Sequence, residues 1–350
     1  MHIHINGNLG YVGPVLVNQL RDTVNDLTIS GFDTAFFASC LLDPYLFPER
    51  KLDIQHYGDI RLKQPVSLYR KANAVVQLAA ISNDPMGKEF EQVTYHVNTD
   101  SVYESALLAK QNGVSHFVFA SSCSVYGAGG DDAKDENASL HPLTAYAQSK
   151  IKAENRIAEL ADENFIITCL RFATACGWSP RLRLDLVLND FVASALVNKR
   201  IDILSDGSPW RPLIHVNDMA RAIQWASTRT KEQGGTFLIV NAGSNEWNYQ
   251  VKDLANTVQQ IIPNIEISIN QSAPPDKRSY RVDFSRFATL APTFVPKENL
   301  IDTISEMLLQ LKLVNFSYAQ IYQTPYIRLK VLKDLRLSGK IDEHLYWSSK

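Results

Sequence analysis

Several protein classes are excluded by what this sequence lacks. Its 350 residues include only four cysteines, Cys40, Cys123, Cys169 and Cys176. Their spacing matches neither a metal-ligand set nor a disulfide framework, so no metal is expected and a reducing cytoplasm is the expected setting. Neither sign of charge dominates: 35 Lys and Arg stand against 37 Asp and Glu. The basic residues are scattered, which argues against a dedicated nucleic-acid or membrane surface. No apolar run approaches the roughly 18 residues of a membrane span. The opening Met1-His2-Ile3-His4-Ile5 is too short and polar for a signal peptide. Internal repeats, low-complexity tracts and flexible linkers are missing too.

What is present is a chain that is 45% hydrophobic, enough to bury a full core. Short apolar strands are expected at 3–6, 27–32, 53–58, 74–80, 117–121 and 165–171. Helical patterns lie between most of them, notably at 10–24, 97–112 and 145–160. Strands alternating with helices imply crossovers, and hence a Rossmann-type doubly wound parallel α/β sheet covered on both faces. After Arg171 the regularity breaks. A helix at 184–197, short strands at 201–204 and 213–216, and a mostly helical end from 300 suggest a smaller C-terminal substrate-binding lobe. The expected division is a dinucleotide-binding unit over 1–175, also receiving 211–242, with 176–350 forming mainly the second lobe and the C-terminal helices.

Three local patterns carry chemistry. Gly7-Asn8-Leu9-Gly10-Tyr11-Val12-Gly13 follows a strand and opens a helix. Glycines there let the backbone turn tightly against a pyrophosphate, while the helix N-terminus offers free N–H groups. Asp33 ends the second strand, twenty residues beyond Gly13. A carboxylate at that place accepts a ribose 2′-OH and repels a 2′-phosphate, favouring NAD over NADP. The third pattern is Tyr146-Ala147-Gln148-Ser149-Lys150, downstream of the Ser-rich strand end Phe119–Gly127. Four residues apart on a helix, phenol and ammonium share a face. The positive charge is expected to favour phenolate and to bring a tyrosine with a free pKa of about 10 into acid/base range.

With these residues the chain resembles the extended short-chain dehydrogenase/reductase superfamily, specifically its nucleotide-sugar epimerase/dehydratase group, from Ile3 to about Asp283. Gly7, Gly10 and Gly13 match the family's loop, although Asn6 stands where Thr is usual. The resemblance implies NAD as cofactor, with loop residues Asn8, Leu9, Tyr11 and Val12 around its phosphates and Asp59-Ile60 at adenine. Leu78-Ala79-Ala80 would run beside the dinucleotide, and Asn98 matches an asparagine of the following helix. Ser122, Tyr146 and Lys150 take the catalytic places: Tyr146 for proton transfer, Lys150 on the nicotinamide ribose, Ser122 on the reacting sugar oxygen. Arg211 and Arg278 match the arginines that reach a sugar diphosphate.

Departures narrow the expected reaction. The family's dehydratases carry Asp-Glu directly after the catalytic Ser/Thr, whereas this chain has Cys123-Ser124, which points away from dehydration. Thr174 replaces a common substrate-binding Asn. Ser82 is expected either to touch substrate or to cap its loop. Arg181 and Arg183 either meet phosphate or form a solvated face. His215 is expected to be structural, and Cys123 to be packing. The implied partner is a nucleotide-diphosphate sugar, with a homodimer through 97–112 and 145–160 as the implied assembly. The expected activity is NAD-dependent epimerisation at a ring carbon, C4. The alternatives are a nucleotide-keto-sugar reductase or dehydrogenase, and a non-catalytic dinucleotide sensor. The stretch 326–346, rich in Lys, Arg and Leu, reads as a lid or an interface.

Overall fold

The computed structural model describes residues 1–43, 45–128, 132–273, 279–317 and 324–348. In chain order the strands begin β1 (His2–Asn6), β2 (Thr28–Asp33), β3 (Ile54–Tyr57), β4 (Ala74–Gln77), β5 (His116–Ser122), β6 (Ala133–Lys134) and β7 (Ile166–Phe172). They continue as β8 (Thr174–Cys176), β9 (Arg200–Ile203), β10 (Trp210–His215), β11 (Phe237–Ala242), β12 (Asn248–Gln250), β13 (Glu266–Ile269) and β14 (Arg281–Val282). The helices are α1 (Gly13–Thr23), α2 (Asp84–Glu89), α3 (Glu91–Tyr95), α4 (Ser101–Gln111), α5 (Ala145–Ala158) and α6 (Val187–Asn198). After them come α7 (Val216–Ala226), α8 (Val251–Ile261), α9 (Ser285–Leu290), α10 (Leu300–Leu313) and α11 (Arg328–Leu337).

Seven parallel strands form the main sheet in the order β11-β7-β5-β4-β1-β2-β3. All four residues of β4, Ala-Val-Val-Gln, are buried, as a strand covered on both faces requires. One face carries α1 and α7 over Ile3, Ile5, Val76 and Val118. The other carries α4 and α5, whose Val102, Ala106, Ala153 and Ile157 pack on Val75, Phe117 and Ile167. The direction of winding reverses between β1 and β4, so a crevice opens at their carboxyl ends, where such sheets take ligands.

The second half adds small sheets. β12, β10 and β8 form one, β13 pairs with β9, and β14 with β6. These short pairings give little periodic signal, and the sequence reading anticipated only β9 and part of β10. Two boundaries also moved. Helix α1 starts at Gly13 rather than residue 10, because Gly10–Val12 are used in the loop that precedes it. The expected helix 97–112 is entered through a π turn at His96–Asp100, which aims Asn98 inward. Among the described residues no helix is long and apolar enough to cross a membrane.

Candidate active site

A cleft of about 960 Å³ runs along the carboxyl ends of the central strands. At its near wall the glycine loop is shaped by two close approaches. Gly7 has φ +84°, and a Cβ there would lie 2.3 Å from the Ala79 amide nitrogen. A Cβ on Gly13 would lie 2.0 Å from the Asn8 carbonyl oxygen. Gly10 differs: its nearest neighbour would be 3.6 Å away, so it leaves open the space a side chain would fill, beside the start of α1. Gly7, Gly10, Tyr11 and Val12 face the cleft. Asn8, Leu9 and Gly13 do not; the Asn8 amide donates to Gln55 Oε1 at 2.6 Å.

Asp33 accepts the Leu9 N–H at 2.9 Å and the Ala35 N–H at 2.7 Å, fixing the loop to the end of β2. Burial pushes its pKa up, and the two amides pull it down. Farther along stand Asp59 and Ile60, with Arg61 forking onto Asp59 at 2.9 and 2.5 Å. Leu78, Ala79 and Ala80 line the floor. Asn98 stays off the surface: it bonds both backbone groups of Ile81 and donates to Ser149 Oγ at 3.0 Å, tying the exit of β4 to α5.

Ser122, Tyr146 and Lys150 all line this cleft. Helix α5 begins at Thr144, whose hydroxyl accepts the Ala147 N–H and donates to Asp84 at 2.7 Å, so Tyr146 sits in the first turn. Ser122 lies close enough to Tyr146 to lower its pKa, and the Ser122 Oγ accepts the Ser124 N–H at 3.2 Å. Lys150 donates to the Ala120 carbonyl at 2.7 Å, with its nitrogen 5.6 Å from the Tyr146 ring centre. Beneath them Glu154 holds Ser121 at 2.6 Å and pairs with Arg171 at 2.7 Å, all buried.

The electrostatics correct the expectation that Lys150 makes Tyr146 acidic. Burial pushes Tyr146 up to about 12; Ser122 and Arg183 oppose that, while Asp84 adds to it. Lys150 is itself pushed down to about 7, again by burial, with Glu154 resisting. Desolvation of both groups outweighs their mutual effect, so the phenol of the resting site is protonated.

On the far side, Ser82, Thr174 and Arg211 line the cleft. Arg183 donates to Ser82 at 3.0 Å and forks onto Asp185, which also accepts from Asn83 at 2.7 Å. Arg181 is structural: it is buried, bonds the Phe37 and Ala38 carbonyls, and pairs with Glu49 at 2.7 Å. Arg278 lies outside the described residues. Cys123 is packing, fully buried with its thiol on the Arg171 carbonyl and its pKa raised by desolvation. His215 caps α7 by accepting the Asn217 N–H. Among the described residues no group of three His, Cys, Asp or Glu is placed to hold a metal.

Among the cleft residues to which the sequence assigns no substrate role are Ser124 and Asp190. The Ser124 hydroxyl is buried at the cleft without a hydrogen-bond partner among the described residues, beside Ser122. The serine run was its available signal. Asp190, on α6, also lines the cleft, and burial pushes it up to about 6; a lone acid in an apolar helix was the clue.

The sequence pattern of the NAD dependent epimerase/dehydratase family matches residues 3–243, more than half of the chain. The chain is 27% identical over 233 residues to an uncharacterized UDP-glucose epimerase, YtcB, of Bacillus subtilis, covering 64% of this chain and 71% of that one. It is 26% identical over 266 residues to a dTDP-D-glucose 4,6-dehydratase of Mus musculus, covering 74% and 72%. A solved structure of UDP-glucuronic acid 4-epimerase from Bacillus cereus, with UDP-glucuronic acid and NAD, superposes with a TM-score of 0.74 at 22% identity, covering 90% of this chain and all of that one. That likeness shows the fold.

Proposed function

Because the chain belongs to the NAD dependent epimerase/dehydratase family, we propose that it epimerises a nucleotide-diphosphate sugar by transient oxidation at a ring carbon, C4, with Tyr146 moving the proton. The observation that carries this reading is the meeting of Ser122, Tyr146 and Lys150 in the cleft beside the glycine loop. The cleft suits NAD: Gly10 leaves room for a pyrophosphate at the start of α1, and Asp33 stands at the end of β2 for a ribose. Bound NAD⁺ would supply the hydride acceptor, later the hydride donor, and a positive charge.

Tyr146 receives the hydroxyl proton as the carbinol becomes a ketone, and returns it when hydride comes back to the opposite face. Its resting proton suits the second step directly. For the first step that resting proton must leave to solvent so that the phenolate can take the hydroxyl proton, and Arg183 and Ser122 both pull the Tyr146 pKa down toward that state. Ser122, held by the Ser124 amide, keeps its proton for the sugar oxygen. Lys150, held on the Ala120 carbonyl, is the group for the nicotinamide ribose. Ser124 offers an unused hydroxyl to the same sugar. Arg211 and Arg278 are assigned to the diphosphate, Ser82 and Thr174 to the sugar.

Dehydration is disfavoured because Cys123 points into the core and Ser124 carries no carboxylate. The assigned unit boundary near 175 and a homodimer through α4 and α5 belong to the same proposal. Incubating the purified protein with a panel of nucleotide sugars, without added cofactor, tests it. Appearance of the C4 epimer supports the reading; product formation only with added NADH assigns a reductase instead.

A further inference from the structure

The matched family region ends at residue 243, yet the cleft wall does not. Arg328, Leu332 and Leu345 line the same cleft as Ile60 and Val97. We propose that residues 325–348 form a latch completing the adenosine end of the dinucleotide site, so that bound NAD is held through successive turnovers. The inference rests on the assignment of that end to adenosine.

The latch has a fixed base and a releasable tip. At the base, Arg328 is buried, and its guanidinium donates to the Arg181 carbonyl at 2.7 Å, the Leu182 carbonyl at 3.3 Å and the Pro325 carbonyl. It also lies 5.1 Å from the Phe37 ring centre. Helix α11 is pinned along its length: Leu332 packs with Ile81, Met86 and Phe90, and Lys333 pairs with Glu89 at 3.1 Å. Removing such a base exposes a buried arginine and an apolar cluster, so it stays shut.

The tip is held by less. Arg61, already paired with Asp59, donates to the His344 carbonyl and to the Leu345 carbonyl at 2.9 Å. Its guanidinium carbon lies 3.8 Å from the centre of the Tyr346 ring. The Trp347 indole donates to the Thr34 carbonyl at 2.7 Å and stands 5.3 Å from the Phe36 ring, with Trp347 still 46% exposed. Thr34 directly follows Asp33, and Arg61 directly follows Ile60, so the tip fastens to the two loops assigned to adenosine. Leu345 is buried in the same apolar cluster as Leu332, whereas Tyr346 and Trp347 hold on at the surface, which places the outer tip at the low-stability end of the molecule, free to open without global unfolding. A ligand that touches the closed form must in turn stabilise it.

The chemistry of the wall fits a purine. Leu332, Leu345, Ile60 and Val97 offer apolar faces, and the buried Arg61–Asp59 pair lines the same cleft. This geometry makes cofactor exchange wait on tip opening, which serves a reaction that returns its hydride and hinders one that must swap NADH for NAD⁺ each cycle.

The test compares wild type with the double variant Tyr346→Ala/Trp347→Ala. NAD dissociation is followed by stopped-flow competition, and retained NAD is quantified after desalting and denaturation. The expected result is NAD retention by wild type and at least a tenfold faster dissociation from the variant, with unchanged circular dichroism. Equal rates overturn the latch. Limited trypsinolysis of the wild-type protein, stripped or resupplied with NAD, covers the case of a misfolded variant. NAD should slow cleavage at Lys340, the exposed basic residue between α11 and the tip, several-fold, and no protection contradicts the proposal. Both readouts are independent of sugar turnover. An NAD-retaining protein that epimerises nothing sinks the epimerase reading alone, whereas epimerisation with free NAD exchange sinks the latch alone.

Discussion

At the end of the cleft assigned to catalysis, Ser122, Tyr146 and Lys150 come from 29 consecutive residues and rest on a buried polar network of Ser121, Glu154 and Arg171. At the other end, Arg61 meets Leu345 across 284 positions of chain, over a mostly apolar wall. The first end is fixed by hydrogen bonds that desolvation strengthens, so it is rigid and sensitive to single polar deletions. The second is closed by one apolar residue, Leu345, and by a few contacts from Arg61 and Trp347, the charged ones of about 1.5–3 kcal/mol each, and it is the end proposed to open. Chemistry needs the first property, and cofactor loading needs the second.

The contrast can be broken hardest at Tyr146. Replacing it by Phe removes the proton carrier but no cofactor contact at the adenosine end. Turnover should fall about 10²–10⁴-fold while NAD stays bound, read by product assay and retained-NAD analysis. Next is Glu154→Gln, which leaves the Arg171 guanidinium buried without its anion. Breaking a buried pair from one side costs about 3 kcal/mol or more, so denaturant unfolding should show a stability loss of that order, with turnover falling as Ser121 and Lys150 loosen.

A subtler pair separates folding from binding within one loop. Gly7→Ala should lower the melting temperature, because its Cβ meets the β4 backbone at a positive φ. Gly10→Ala should leave melting of the stripped protein almost unchanged but weaken NAD binding, measured by calorimetry, because its Cβ enters open cleft space. The smallest effect is at Asp190, whose pKa is raised from 3.8 to about 6. The folded protein holds that proton more tightly, so the associated stability is full below pH 3.8 and is lost as pH rises through about 6. Asp190→Asn should therefore melt higher than wild type at pH 7, and the gap should close below pH 3.8.

The two ends also differ in how far they can be read from sequence. Gly7, Gly10, Asp33, Ser122, Tyr146 and Lys150 were legible because strand ends and a helical four-residue step place them by local rules alone. The same rules gave the parallel sheet, since alternating strands and helices permit few topologies. The charge state of Tyr146 was not legible: a spacing rule knows the ammonium is near, but not that burial outweighs it. Nor were the short strands β8, β12, β13 and β14, whose pairing partners are distant and whose length carries no period. Residues 325–348 were visible as a helical tail, yet what Leu345 and Trp347 touch is decided by tertiary packing onto Arg61, Thr34 and Phe36.

Hydride return is the step on which everything else depends, and an isotope follows it directly. The NAD-loaded protein is given nucleotide sugars deuterated at C4, with excess unlabelled NADH in solution, and the epimer is analysed by mass spectrometry. Full retention of deuterium at C4 of the product is the predicted result. Loss of the label to the solution cofactor, or a product formed only by consuming NADH, would contradict epimerisation within a closed site.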